Sequence, residues 1–183
     1  LHSFLMLHHQ LSIITNLDFD HLDYYKTPKK LYSSFDKFIM NFPFYVISIV
    51  NEDDKNLKKI IQKNDTRKIV TFSLKNKKSN VFVNKIHFDN QYSYFTLNLN
   101  FSDDKLSKSY SYKLKANGLH NIYNATASII AGHLVGVKNS FIKGALKNYI
   151  GVKRRFTHLG KVNLANIYDD YAHHPTEIAA TLL

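Results

Sequence analysis

The string Asp169-Asp170-Tyr171-Ala172-His173-His174-Pro175 places two carboxylates, a phenol and two imidazoles ahead of a rigid proline turn, with Lys153-Arg154-Arg155 a short way upstream. Adjacent guanidinium groups suit polyphosphate or carboxylate oxygens through two-point hydrogen bonding. An aspartate at a strand end can accept ribose hydroxyls, and histidines before a proline stand where a helix N-terminus attracts anions. A charge run is usually a solvated face, but cations, acids and imidazoles this dense favour a functional site.

A second group is Asn117-Gly118-Leu119-His120-Asn121-Ile122-Tyr123-Asn124-Ala125. Asn121 and Asn124 fall on one face at the start of a helical stretch. A carboxamide offers donor and acceptor side by side and so matches an adenine edge. Taken alone, the simpler account is that Asn117 or Asn121 caps the helix. A third group, Thr15-Asn16-Leu17-Asp18-Phe19-Asp20-His21-Leu22-Asp23, follows the first strand, where ligands of α/β proteins gather. A histidine beside carboxylates there can ligate a hard divalent cation or hold a phosphate. A solvated loop in which Asp20 caps the next segment explains that spacing more simply.

The elements that must carry these groups begin with an apolar run at 11–16, read as a buried parallel strand. Pro28 opens a helix with Leu31, Phe35, Phe38 and Ile39 on one face, stopping before Pro43. Tyr45–Val50 reads as a strand, and Asn51–Asp54 caps a helix over Asp54–Gln62. This alternation predicts an α/β fold with a mostly parallel sheet. From Lys68 to Lys115 the pattern changes to Lys68–Leu74, Val81–Phe88, Tyr92–Phe101 and Ser109–Lys115, separated by polar turns, which predicts a small antiparallel meander. Helices return at Asn121–Leu134, closed by Gly136, and at Ser140–Tyr149. Lys161–Tyr168 reads as one strand and Pro175 as a helix start.

The 183 residues, 44% hydrophobic and 21% charged, allow one domain or one domain plus a stub and exclude a disordered tail or a membrane bundle. No apolar run approaches the roughly 20 residues that span a bilayer, and Leu1–Leu11 does not read as a signal peptide. With no cysteine, thiolate metal sites and cysteine nucleophiles are excluded. These features predict a cytoplasmic protein without membrane insertion. The net charge of +11 suggests nucleic acid, but arginine, which reads phosphates and guanine edges, occurs only as Arg67, Arg154 and Arg155 among the 25 cations. The abundant lysine, asparagine, isoleucine, tyrosine and phenylalanine share A- and T-rich codons, so genome composition accounts for the charge and no specific nucleic-acid partner is expected.

Together the three groups are far more specific than any one. The chain resembles the Mur ligases on Ser3-Phe4-Leu5, Ile14-Thr15-Asn16 with Asp20-His21-Leu22-Asp23, Pro43-Phe44-Tyr45, and Asn51 with Asp53-Asp54. Gly118 with His120-Asn121 and Asn124-Ala125 follows, then Gly151-Val152-Lys153-Arg154-Arg155-Phe156, and Asp169 through His173-His174-Pro175-Thr176-Glu177-Ile178. These run in the family's order across nearly the whole chain, and the last string is the most specific. Tyr171 and Thr176-Glu177-Ile178 are most similar to the alanine-adding branch; the murein-peptide recycling ligase, the nearest alternative, usually departs there.

The resemblance implies an ATP-dependent ligase that joins L-alanine to UDP-N-acetylmuramate in peptidoglycan precursor synthesis through an acyl phosphate. It implies ATP and Mg2+, with His21 as a catalytic magnesium ligand near the acyl phosphate. Asn121 and Asn124 would hold adenine with His120 beside them, Arg155 would contact ATP phosphate, and Asp170 the ribose. Tyr171 and His173 would lie at the muramoyl and alanine end, His173 among the catalytic groups. The departures predict a piece of such an enzyme: residues 1–156 as most of the central ATPase domain and 157–183 as the start of a Rossmann-like C-terminal domain. The family's UDP-binding domain, its phosphate loop Gly-x-x-Gly-Lys-Thr, a metal-binding glutamate before Ser3 and most of the C-terminal domain have no counterpart here. The one Gly-Lys pair, Gly160-Lys161, is followed by Val162. Asn117 stands where the family has proline, and Leu119 where many members have arginine. On this basis the chain alone is expected to be inactive, and a non-catalytic remnant is the other alternative.

Overall fold

The computed structural model describes residues 9–18, 26–40, 43, 45–63, 67–100, 108–152 and 154–182. Strand β1 (Leu11–Ile14) leads to α1 (Pro28–Met40), β2 (Ile47–Asn51), α2 (Lys55–Lys63) and β3 (Ile69–Ser73). The Thr27 hydroxyl accepts the Lys30 N–H at 3.4 Å, leaving Pro28 at the first helical position, where an N–H would have no partner anyway. Asp54 begins α2 as the sequence predicts: its Oδ1 accepts the N–H groups of Asn56 at 2.8 Å and Leu57 at 2.9 Å.

Strands β1, β2 and β3 pair side by side and parallel. Right-handed crossovers between sequential neighbours put α1 and α2 on the same face. Successive side chains of β2 point to opposite faces and both faces are covered. Val50 packs with Leu31 and Ile39 of α1 and Leu57 of α2, whereas Ile49 packs with Ile122 and Ile129 of α3 (Leu119–Leu134). A helix therefore lies across each face of the parallel strands.

Strand β4 (Val81–Phe88) pairs with β3 in parallel, yet only through Phe72 with Val81 and Ser73 with Phe82. It starts where β3 ends, so the short connection 74–80 suffices where a full parallel crossover takes about a dozen residues or more. The remainder of β4 projects beyond the carboxyl ends of the parallel strands and pairs antiparallel with β5 (Ser93–Leu99), which pairs with β6 (Lys108–Leu114). All six strands form one sheet. The expected meander is thus β4–β6 alone. The strand predicted at Lys68–Leu74 belongs to the parallel part, because polar turn residues look alike whether the chain reverses or steps sideways.

After Gly136 (φ 81°), α4 (Asn139–Lys147) packs on β6. A separate two-stranded antiparallel sheet follows, β7 (Thr157–Val162) with β8 (Ala165–Asp169), and then α5 (Pro175–Leu182). The single strand predicted over Lys161–Tyr168 is corrected to a hairpin. It turns at Asn163, whose φ of 54° lies in the left-handed region that asparagine tolerates better than most residues. Among the described residues no helix is long and apolar enough to cross a membrane.

Candidate functional site

Helix α3 starts at Gly118, whose φ of 99° is left-handed and where a Cβ would stand 2.8 Å from the His120 ring. Both conditions favour glycine. No side chain caps the helix, so the simpler account of Asn117 and Asn121 as caps does not hold. Asn117 instead donates Nδ2–H to the Asp89 carbonyl at 2.7 Å, at the β4–β5 turn, and its own carbonyl accepts Nδ2–H of Asn121 at 2.7 Å. One Asn121 N–H is used in this way; its second N–H and its carbonyl oxygen remain for another partner. Asn124, on the next turn, is exposed.

The chain after α4 turns tightly. Arg154 (φ 60°) and Phe156 (φ 48°) are both left-handed, a conformation that persists only where neighbours impose it. Here two bonds from beyond β8 impose it. The Tyr171 N–H donates to the Arg154 carbonyl at 2.8 Å, and the Phe156 N–H donates to Asp170 Oδ2 at 2.7 Å. Asp170 Oδ1 accepts the Ala172 N–H at 2.7 Å.

The two arginines part at this turn. Arg154 lies over the Tyr171 ring, 4.8 Å from its centroid, with Nε 3.6 Å from Asp169 Oδ2. Arg155 stands within electrostatic reach of His120, Asp170 and Glu177. Burial pushes the His120 imidazolium below the ordinary histidine value, Arg155 pushes it further, and Asp170 opposes them. The Ala172 and Phe156 N–H groups, with Arg155 and His120, hold Asp170 below the usual carboxylate range.

Pro175 is the first residue of α5 and Glu177 the third. Glu177 Oε2 accepts the N–H of His173 at 3.2 Å and of His174 at 3.5 Å, the backward-reaching half of a capping box. These bonds, with His173 and Arg155, lower the Glu177 carboxyl. His173 donates Nδ1–H to the Tyr171 carbonyl at 3.0 Å, which leaves Nε2 as the lone-pair nitrogen of the neutral ring.

The first and second sequence groups therefore meet: His120 at the start of α3 lies within electrostatic reach of Arg155 and Asp170, with Tyr171 and His173 on the same turn as Asp170. His21, predicted as the metal ligand, lies outside the described residues, as do Asp20 and Asp23. Among the described residues no three His, Asp or Glu side chains converge to hold a metal ion. The tetrapeptide Asn51–Asp54 does more than the cap expected of it. Asn51 Nδ2–H donates to the Thr15 carbonyl at 2.9 Å, and Glu52 accepts from Asn76 at 2.9 Å and Ser79 at 2.5 Å. Asp53 accepts from Ser73, Leu74 and Tyr123, and Asp54 also accepts the Leu17 N–H at 3.2 Å. The one sequence signal for the Tyr123 contact is a polar-tipped aromatic between two asparagines on a largely apolar helix.

Parallel strands covered by helices, with an antiparallel extension past their carboxyl ends, define an α/β domain, and residues 3–132 match the Mur ligase middle domain family. The chain belongs to the Mur ligases. It is 38% identical over 180 residues to the UDP-N-acetylmuramate–L-alanine ligase of Pelagibacter ubique, covering 98% of this chain and 39% of that protein. The ligase of the same name from Caldicellulosiruptor bescii is 39% identical, with 98% and 38% covered. The chain thus spans about two fifths of the length of the curated relatives it matches. Among solved structures it is similar to the alanine ligase MurC of Thermotoga maritima, with a TM-score of 0.76 and 25% identity over 98% of this chain and 38% of that one. A murein peptide ligase of Psychrobacter arcticus gives 0.72 and 27%, over 98% and 35%.

Proposed function

We propose that the chain is the ATP-handling part of a ligase that joins L-alanine to UDP-N-acetylmuramate in peptidoglycan precursor synthesis. Residues 1–156 would belong to its central domain and 157–183 would open its C-terminal, Rossmann-like domain. The observation that supports this best is the meeting of His120 with Arg155 and Asp170 next to Asn121 and Asn124. The alanine-ligase relatives supply the substrate assignment. The reaction draws on ATP and a UDP-sugar, which assigns it to the cytoplasm.

In this reading the second N–H and the carbonyl of Asn121, with the Asn124 carboxamide, meet the adenine edge. Each Asp170 oxygen keeps a lone pair after accepting one backbone N–H, so the carboxylate can also accept ribose hydroxyls. Arg154 is committed to Asp169 and Tyr171, which leaves Arg155 to contact phosphate. Burial and Arg155 both disfavour the charged form of His120, which limits repulsion beside Arg155. Tyr171 and His173 lie toward the muramoyl and alanine end, and His173 Nε2 can accept a proton from the attacking amine. The muramoyl carboxylate takes the γ-phosphoryl group, the amine displaces phosphate, and the amide remains.

Magnesium, when bound, neutralises charge on the phosphates. His21 is proposed as its ligand from the sequence alone. The described residues form no metal cradle, and no step above is routed through the ion.

Calorimetric titration of AMP into the chain tests the nucleotide end of the proposal. Wild type should bind, and Asn121→Ala should weaken binding by roughly tenfold, as loss of a paired base edge does. Equal affinities would contradict the assignment. The murein-peptide recycling ligase is a second reading, carried by the Psychrobacter structure. A chimera completed with a relative's phosphate loop and flanking domains decides by whether phosphate release depends on alanine or on peptide.

A further inference from the structure

Asp53 lies two residues beyond β2, at the carboxyl ends of the parallel strands, and it is the junction of an extended hydrogen-bonded set. Its Oδ1 accepts the hydroxyl of Ser73, a fully buried residue, at 2.5 Å. Its Oδ2 accepts the Leu74 N–H and the Tyr123 hydroxyl, each at 2.8 Å. The Asp53 N–H donates to Asn51 Oδ1 at 3.0 Å, and Asn51 reaches back to Thr15 after β1. One carboxylate thus ties the ends of β2 and β3 to α3, and the asparagine extends the tie to β1. On α3 the single point of attachment in this set is Tyr123, between Asn121 and Asn124. Its ring packs against buried Phe72, 6.4 Å between centroids, and burial with the nearby carboxylate keeps the phenol protonated and donating.

A helix side that is only apolar can slide or rotate slightly without losing much contact, whereas a hydrogen bond to a charged acceptor has a narrow geometry. We propose that Tyr123 is a positioning residue: its bond to Asp53 fixes the rotation of the first turns of α3 and so sets where His120, Asn121 and Asn124 point. The functional half of this inference rests on the reading of that face as the adenine site.

Tyr123→Phe, which keeps the ring and removes the hydroxyl, is compared with Tyr112→Phe. Tyr112 is a buried phenol on β6 bonded to Asn139 at 2.8 Å and, at 3.1 Å, to His133 in the last turn of α3, at the opposite end of that helix from His120 and Asn121. Two readouts are taken on the whole chain well below the melting temperature: AMP affinity by calorimetry, and the side-chain amide NMR signals of Asn121 and Asn124 without nucleotide. Tyr123→Phe should weaken AMP roughly five- to tenfold and shift both amide signals, while Tyr112→Phe lowers the melting temperature and leaves both readouts alone. If the two variants behave alike, the proposal is overturned. If wild type binds no AMP, the proposed function falls, and the amide signals alone decide whether Tyr123 sets the helix. Asp53→Asn, which weakens the phenol's acceptor, serves in place of Tyr123→Phe should that variant not fold; unmoved amide signals there would equally overturn the proposal.

Discussion

The Phe156 N–H and the Asp170 carboxylate are joined at 2.7 Å, immediately past the last rung of the β7–β8 hairpin, where Thr157 pairs with Asp169. The side chain continues the ladder where backbone pairing stops and pins Arg155 between two left-handed residues. Asp170 thus shapes the turn that presents Arg155, in addition to any ligand contact of its own.

Asp170→Ala should therefore speed hydrogen exchange at the Phe156 and Ala172 amides by about tenfold or more, with Asp170→Asn intermediate because it keeps one carbonyl acceptor. Acid should act in the same direction. The folded Asp170 and Glu177 carboxyls are depressed, so their stabilising contribution is complete above the unfolded values of about 3.9 and 4.3 and is lost as pH falls through the lower folded values. Protection of these amides, taken as exchange relative to the intrinsic rate at each pH from pH 6 to pH 3, should stay level and then fall below about pH 4.

His120 should titrate below the free histidine value of about 6.5. With the folded value depressed, its contribution to stability is complete above about 6.5 and declines as pH drops toward the folded value. Removing Arg155 as Arg155→Met should raise the His120 midpoint, and Asp170→Asn should lower it further. Proton NMR of the His120 ring reads both. A midpoint indifferent to either variant would mean that the α3 start and the 154–170 segment do not face each other.

Gly118→Ala should cost about 1–3 kcal/mol in denaturant unfolding, because alanine must adopt a left-handed φ and its Cβ meets the His120 ring. The His120 NMR signal should move with it. Gly136→Ala, at a similar φ but with open space around the Cβ, should destabilise the chain and leave His120 unmoved.

The 183-residue chain on its own should show no alanine-dependent phosphate release, because it holds no Gly-x-x-Gly-Lys-Thr loop to cradle the β- and γ-phosphates. Release above a no-enzyme control would contradict this.

Local signals carried much of the fold. The Thr27-Pro28 start of α1, the Asp54 cap of α2 and the apolar face Leu31, Phe35, Phe38 and Ile39 are each decided by neighbours within a turn or two, and each is where the pattern puts it. Tertiary register was not legible in the same way. Whether Lys75–Asn80 reverses the chain or steps it sideways depends on the two-rung overlap of β3 and β4, and the bend at Asn163 carries no glycine to announce it. At the site, residue types marked out the groups, and the family resemblance singled out His120, Asn121, Asn124, Arg155 and Asp170 within them. Their partners were not visible. The separate commitments of Arg154 and Arg155, and the contacts of Asp53 with Ser73 and Tyr123, join residues far apart in sequence, and no periodicity encodes them.

The central claim, that the α3 start and the 154–170 turn form one nucleotide site, is tested most directly by titrating AMP into isotope-labelled chain and following individual amide signals. The side-chain amides of Asn121 and Asn124 and the backbone amides of Phe156 and Ala172, which report on Asp170, should shift together and fit a single dissociation constant. Shifts confined to one of the two segments, or none in either, would contradict it.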